Sequence, residues 1–501
     1  MLLTQVLVSI VVCLLVYFWY RFRQIRTYWQ RHGIPGEGLD TSMRGLGKQR
    51  SFVDIWLDTY RKFKGTGPFC GFYWGAGPAA FVLTPDLAKL VLIKDFNKFT
   101  DRGFYHNPKH DPLSGQLFML DGHKWRSMRN KLSPAFTSGK MKMMFPTIVK
   151  IAEELTNLLA DMQKQDAVIE MKDLMARFTT DVIGTCAFGV ECNSLKDPNS
   201  EFRVMGRKAV TDQRLGPRTR AFINTFPNVA IFLGIKTIPD HISKFYMGIV
   251  RENIEYREKN GIRRNDFFDM LLDLKNKKLL KSEDGEEVSI TVGELAAQAY
   301  LFLIAGFETS STTLSFALYE LAQHEDVQQR ARDEILEVIA RHGNKLTYEC
   351  MSEMTYLNQI ISETLRLYTV LPILNRQCLE DYPVPGFPKY VIKRNMRVLI
   401  PAGAMHRDPD LYTNPDKFDP EHFSPEEVAQ RDVIEFLPFG EGPRNCIGMR
   451  FGQMQARVGL ACLLSNFKFI VCDKTPIPMV LNKSSFLVSS QDGIYLQVDK
   501  L

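Results

Sequence analysis

The sequence predicts a mainly α-helical protein with minor β-sheets, preceded by one N-terminal membrane-spanning helix. Three observations point there. Nineteen uncharged residues follow Met1, apolar residues at helical spacing dominate from about Gly122 to Tyr368, and short extended patterns flank that helical stretch. The 501 residues are 45% hydrophobic and 24% charged, which excludes a disordered or collagen-like chain and allows a sizeable core.

Leu2 to Tyr20, LLTQVLVSIVVCLLVYFWY, is long enough at about 1.5 Å per residue to cross a hydrocarbon core of about 30 Å. Tyr17, Trp19 and Tyr20 sit where an interfacial aromatic belt belongs, and Arg21, Arg23, Arg26 and Arg31 follow at once. A cleaved signal peptide is the alternative. It would need a basic start and small residues at a cleavage site, and the run has neither. Residues 1–20 are therefore expected to be a retained anchor, with everything after Arg21 in the cytosol. Residues 21–38 are expected to be a basic linker ending in a hinge, His32-Gly33-Ile34-Pro35-Gly36-Glu37-Gly38, and 39–501 a single body without repeats or flexible linkers.

Charge narrows the function classes. The net charge is +6, and residues 21–64 hold ten Lys/Arg against four Asp/Glu, so that segment carries the whole excess. The neutral remainder argues against nucleic-acid binding, which needs a basic face. Nine cysteines at wide spacing, without a CxxC pair, suit a reducing compartment better than a disulfide scaffold or zinc ribbon. The lone sequon at Asn482 does not argue otherwise.

Extended segments are expected at Phe69–Trp74, Ala80–Leu83 and Tyr390–Ile400. Gly75-Ala76-Gly77-Pro78-Ala79-Ala80 matches a dinucleotide fingerprint, but a strand pattern follows where a helix is required, so a hairpin turn is expected. His406-Arg407-Asp408 matches part of a kinase catalytic loop. Pro409 follows and no partner loop precedes it, so this too reads as a turn.

The strongest local signal is Phe436-Leu-Pro-Phe-Gly-Glu-Gly-Pro-Arg-Asn-Cys446-Ile-Gly-Met-Arg-Phe-Gly. Gly440, Gly442 and Pro443 force a tight loop, and Gly448 permits close backbone approach. A helix is expected from Gly448 to Leu464. Its first amides would point at the sulfur, lower the thiol pKa and favour a thiolate able to bind a haem iron, with Phe439 against the flat ring. The alternative is a buried structural cysteine.

The pattern Phe439-xx-Gly442-x-Arg444-x-Cys446-x-Gly448 resembles the haem-binding motif of the cytochrome P-450 (haem-thiolate monooxygenase) superfamily. Three further motifs follow that resemblance over essentially the whole chain. Trp125 and Arg129, at i and i+4, can reach one anion from a single helical face. The resemblance makes them donors to a haem propionate, joined by Arg444, Arg376 and Arg102. Ala305-Gly306-Phe307-Glu308-Thr309-Ser310 lies in a helix expected from about Thr291 to His324. Leu301, Ile304, Ala305, Glu308, Thr309 and Thr312 share its inner face. Here the resemblance has Gly306 leave room beside the iron, Thr309 hydrogen-bond dioxygen and Glu308 relay protons through water. Without it, Thr309 would simply bond back to the carbonyl four residues earlier.

Glu363 and Arg366 form an i, i+3 pair that the family buries behind the haem, bonded to an Arg for which this chain has His422. Thr369 stands where a proline is usual. The loop and helix motifs look most like the insect microsomal detoxification branch and its vertebrate drug-oxidising relatives.

The resemblance implies the cytochrome P-450 fold, haem b ligated by Cys446, O2 as co-substrate and NADPH acting through a reductase. It places the protein in the endoplasmic reticulum membrane with NADPH–cytochrome reductase as partner and cytochrome b5 as a second candidate. Lys124, Arg126, Lys131 and Arg450 are expected to form the docking face. Pocket segments of the family fall on Phe104, Phe226–Phe232, Leu301, Ile304, Ala305, Val370, Leu374 and Phe486, nearly all apolar, which implies a neutral lipophilic substrate such as a plant toxin, insecticide or hormone. Two rival classes are a haem-thiolate peroxide isomerase or dehydratase, whose members usually lack the acid and hydroxyl pair, and a non-catalytic haem sensor.

Overall fold

The computed structural model describes residues 2–41, 50–75, 77–212, 214–264, 266–276, 289–483 and 485–501. Ala76 of the expected hairpin turn and Ser484 of the sequon lie outside the described residues. Helix α1 (Leu2–Arg26) carries the uncharged run, with apolar side chains exposed from Val6 to Val12 and from Leu15 to Phe22, and is a candidate membrane span. It continues six residues past the expected end of the anchor. The segment expected to be a hinge is instead docked. Trp29 and Ile34 are buried, the Trp29 indole N–H donates to Phe72 O at 2.9 Å, and Gly71 N–H donates to Pro35 O at 2.8 Å. A side chain at Gly71 would enter the Trp29 ring. The turn after Arg31 does form, at Gly33 with φ +64°.

Helix α2 (Phe52–Phe63) starts at Ser51, whose hydroxyl accepts from Asp54 N–H. Strands β1 (Phe69–Trp74) and β2 (Gly77–Val82) form the expected antiparallel hairpin, paired from Phe69 with Val82 to Trp74 with Gly77. A four-stranded sheet is completed by β4 (Leu374–Gln377) and β5 (Arg397–Ile400) in the order β1-β2-β5-β4, with β2 and β5 parallel. The expected strand at Tyr390–Ile400 breaks in two because Asn395 turns with φ +67°. A second sheet joins β3 (Val168–Glu170), β7 (Tyr495–Lys500) and β6 (Phe467–Ile470) in that order, all antiparallel.

The helical body comprises α3 (Gly122–Leu132), α4 (Ser138–Gln165), α5 (Met171–Ile183), α6 (Val292–Gln323), α7 (Glu325–Arg341), α8 (Thr355–Leu367) and α9 (Met449–Asn466) among others. Helix α6 begins where the sequence predicts. The Thr291 hydroxyl accepts from Glu294 N–H and the Glu294 carboxylate accepts from Thr291 N–H, a reciprocal cap. It is long and apolar enough to cross a membrane, but most of it is buried, as befits the central helix of a soluble body.

Two buried apolar clusters result. One surrounds α6 and includes Phe451 and Leu460; the other lies between the four-stranded sheet and α2 and includes Trp56 and Phe81. The loop before Cys446 bridges them. Leu437 belongs to the sheet-side cluster, and Phe436, Phe439 and Ile447 pack on the helical one.

Candidate active site

Cys446 sits at the end of the loop and three residues before α9. Its N–H donates to Phe439 O at 2.8 Å, closing the loop on itself. Gly440 and Gly442 adopt φ +68° and +75°, and a Cβ on Gly442 would lie 1.9 Å from Leu92 O, so glycine is required there twice over. Gly448 differs from expectation: a Cβ would meet only Phe136 at an ordinary 3.7 Å. The thiol also differs. Burial pushes the Cys446 thiol up, and this outweighs the Gly448 N–H and the Arg129 and Arg102 charges that pull it down. The helix start assists a thiolate without making one; a bound metal must do that.

Guanidinium groups converge on this loop. Arg129 donates to Asn445 O at 2.8 Å and to Asn445 Oδ1 at 2.9 Å. Arg444 donates to Thr100 O at 2.6 Å and to Leu120 O, with its guanidinium 4.7 Å above the Trp125 ring. Arg102 donates to Phe118 O at 3.1 Å and to Arg444 O at 3.4 Å, and Arg376 to Asn375 O at 3.0 Å. The one carboxylate paired with Arg444 among the described residues is Asp121, at 3.5 Å. Burial, then the neighbouring Arg444 charge, lowers Arg376 to about 9, and burial lowers Arg444 to about 10. Burial and the charges of Arg376 and Arg444 hold Arg102 well below its usual range. Arg376 Nε and Arg444 Nε are buried without partners. Such a cluster is short of negative charge, and two carboxylates would satisfy it.

The sequence carries no local mark for a further cation, Arg397 of β5, which donates to Arg102 O and Gly103 O at 3.1 and 2.8 Å and stands 5.4 Å over Phe104. Only the parallel pairing of β5 with β2 brings it here.

Helix α6 packs on α9, with Gly452 facing Ser310. Ala305 is the one exposed residue between Leu295 and Leu321, and Cys446 also keeps open surface, although protein crowds its sulfur closely enough to desolvate it. Thr309 Oγ1 donates to Ala305 O at 2.6 Å, so its proton is engaged with the helix and its lone pairs remain to accept. Glu308 pairs with Lys172 of α5 at 3.3 Å, both partly buried, a partner the sequence does not reveal. Thr312 Oγ1 is buried without a partner. Gly306 corrects an expectation. A Cβ there would lie 2.7 Å from Ile183 Cδ1, so the glycine makes room for α5.

Behind the loop, Arg366 grips Glu363 through two 2.7 Å bonds with both side chains fully buried, and donates to His406 O, Pro415 O and Lys417 O. His422 completes the lock. Its Nδ1 faces Glu363 Oε1 at 3.1 Å and its Nε2 faces Thr413 O at 2.7 Å.

The expected pocket residues divide. Leu301 and Ile304 line α6 within the helical cluster. Val370 and Leu374 are buried, Val370 O accepts from Val488 N–H at 3.0 Å, and Leu374 packs on the loop at Gly440. Phe104 stacks on Phe118 at 5.7 Å. Phe486 stands apart, 41% exposed and stacked on Phe52 of α2 at 4.6 Å. Of residues 226–232, only Ala230 is buried, and Phe232 is 87% exposed.

A cysteine closed into a glycine loop, ringed by guanidinium groups and set beside a helix with an open alanine, fits a thiolate-ligated haem with its two propionates. Fold and site together define the class of haem-thiolate oxidoreductases. The chain belongs to the cytochrome P450 family, whose profile matches residues 41–498. It is 60% identical to "Probable cytochrome P450 6a21" of Drosophila melanogaster over 99% of both chains. It is equally close to "Cytochrome P450 6a9" of that fly, again over 99% of both. It is 47% identical to "Cytochrome P450 6A1" of Musca domestica over 95% of this chain and 94% of that one.

Proposed function

We propose that the protein is a microsomal monooxygenase, anchored by α1 with its body in the cytosol. It inserts one oxygen atom of O2 into a neutral lipophilic molecule such as a plant toxin or insecticide, using NADPH-derived electrons from a separate flavoprotein reductase. The observation that carries this reading is the juxtaposition of Cys446, the guanidinium ring and the acid–hydroxyl pair of α6. Haem, when bound, supplies the redox-active iron and two propionates.

The residues divide the remaining work. Cys446 would hold the iron through its sulfur. Arg129, Arg376, Arg444 and Arg102, with Trp125 beneath Arg444, would hold the propionates. Leu301, Ile304, Ala305, Val370 and Leu374 offer an apolar wall that excludes water. Thr309 Oγ1 accepts a hydrogen bond from water in the groove while its own O–H donates to Ala305 O. Glu308, held by Lys172 at the partly exposed edge of α5, is the stage at which a proton passes from outside to the water that Thr309 orients.

Microsomes containing the protein and a reductase test this directly. NADPH-dependent oxidation of a lipophilic substrate is expected. Turnover of hydroperoxides alone would favour an isomerase, and no turnover a sensor. Thr309→Ala is expected to keep haem and substrate binding while diverting reducing equivalents to peroxide; unchanged coupling would remove Thr309 from the relay.

Lys124, Arg126 and Arg450 are exposed and Lys131 half-buried on α3 and the first turn of α9, beside the loop. Their charge suits an acidic flavoprotein, with cytochrome b5 as a second partner. Lys131→Glu with Arg450→Glu is expected to slow first-electron transfer and flatten its salt dependence, with peroxide-driven turnover intact. Equal loss by both routes would mean that the pair supports the haem site and no docking face.

A further inference from the structure

His406 is fully buried and lies far in sequence from the loop, yet both ring nitrogens are committed. Nε2 stands 2.8 Å from Leu437 N and Nδ1 stands 2.7 Å from Thr369 Oγ1. A backbone amide can only donate, so Nε2 must be bare and the ring proton must reside on Nδ1. Thr369 Oγ1 then accepts a hydrogen bond from Nδ1–H and donates its own O–H to Leu365 O at 2.9 Å, with Arg366 O at 3.1 Å beside it. The direction of every bond from Leu437 to α8 is thus determined, and no charge is involved. The His406 carbonyl is tied in as well, accepting from Arg366 Nη1 at 2.8 Å.

Leu437 is no remote point of the loop. Its carbonyl accepts from Gly440 N–H at 3.0 Å, and Phe439 O, inside that turn, accepts from Cys446 N–H at 2.8 Å. The turn that positions the Cys446 amide is therefore built on the residue that His406 holds. We propose that His406, set in its Nδ1–H tautomer by Thr369, is a positioning residue that fixes the register of the Cys446 loop against the end of α8. This rests on the haem-thiolate reading and adds to it the group that keeps the sulfur in place. Burial, with Arg366 and Arg431 nearby, holds the imidazole down at about 3, consistent with a neutral ring. Thr369 supplies the hydroxyl acceptor; a proline there could not.

The test follows the ferrous carbon-monoxide complex of the full-length, haem-loaded protein. Its readout is the rate at which the thiolate-type Soret band converts to the thiol-type band at fixed temperature. Thr369→Val leaves the Nδ1–H unsatisfied and frees the tautomer, and is expected to speed conversion about tenfold. Thr369→Ser keeps the acceptor and is expected to stay within about twofold of the unmodified protein. His406→Gln, whose amide can accept from Leu437 and donate to Thr369, is expected to behave like Thr369→Ser. The far-UV melting temperature should be the same for Thr369→Val and Thr369→Ser. Conversion of Thr369→Val at the unmodified rate would overturn the proposal. So would equal acceleration by Thr369→Ser, or acceleration that tracks a fall in melting temperature. If the unmodified protein had no thiolate-type band, the haem-thiolate reading itself would fall, and with it this one; a normal band with inert variants would remove the positioning role alone.

Discussion

His422 faces two acceptors, the Glu363 carboxylate on Nδ1 and the Thr413 carbonyl on Nε2, a geometry that an imidazolium with both nitrogens protonated would satisfy in full. Burial lowers its pKa, but the Glu363 contact outweighs burial and the net shift is upward. A raised folded pKa contributes stability that is fully present below the unfolded value of about 6.5 and is lost as pH rises through the folded value. His422→Gln is therefore expected to cost more stability at pH 6 than at pH 9, measured by chemical denaturation at each pH. An equal cost at both would show the ring to be neutral in the fold. Burial also pushes Glu363 up, but Arg366 and His422 together bring it below its usual range. Its contribution is lost only as the medium turns acid. In place of the Arg that the resemblance implies, His422 is expected to give a lock that loosens as pH rises. Cys446 belongs to the same scale: Cys446→Ala is expected to abolish the thiolate-type Soret band, and a retained band would move the ligand elsewhere.

Among the elements, the crossing of α5 and α6 sets the floor of the site. Gly306 lets the two helices approach until Ile183, itself buried, touches the α6 backbone, and Thr179 Oγ1 donates to Phe307 O at 2.9 Å beside it. Gly306→Ala is expected to destabilise the protein by about 1–3 kcal/mol, since a buried Ile183 cannot move aside freely. Ile183→Val removes the offending Cδ1, so the double variant should recover part of that loss in a double-mutant cycle. The Soret spectrum should stay unchanged throughout. A spectral change with no loss of stability would return Gly306 to its expected role of leaving space beside the iron.

Across the molecule, the guanidinium ring is short of negative charge in a way that a haem with two propionates would satisfy. Four arginines, from the loop after β2, from α3, from β4 and from the Cys446 loop, meet with little carboxylate between them. Replacing a buried, underpaired charge with an apolar side chain of similar size is often neutral or stabilising. Arg376→Met is thus expected to leave the haem-free protein as stable as before, or up to about 1 kcal/mol more stable, while haem transfer to an acceptor protein accelerates. Thermal melts of the haem-free forms check the first half and transfer kinetics the second. A less stable haem-free variant would make the ring a structural network in its own right.

Much of this was legible one segment at a time. The α1 run, the reciprocal cap that begins α6 and the glycine loop of Cys446 depend on neighbours within a few residues, so their patterns announce them. Cys446, Trp125, Arg129, Glu363 and Arg366 belong to motifs of fixed spacing for the same reason. The rest depended on which distant surfaces meet. Nothing near Gly306 announces Ile183, and nothing near Glu308 announces Lys172. Arg397 reaches the site only because β5 lies parallel to β2, and His406 matters only because the chain returns to place Leu437 beside it. The balance on the Cys446 thiol was decided the same way. The helix start that favours a thiolate is local, whereas the desolvation that overcomes it comes from protein packed around the sulfur by distant parts of the chain. Local chemistry is written in spacing; desolvation and long-range contact exist only once the chain has closed around them.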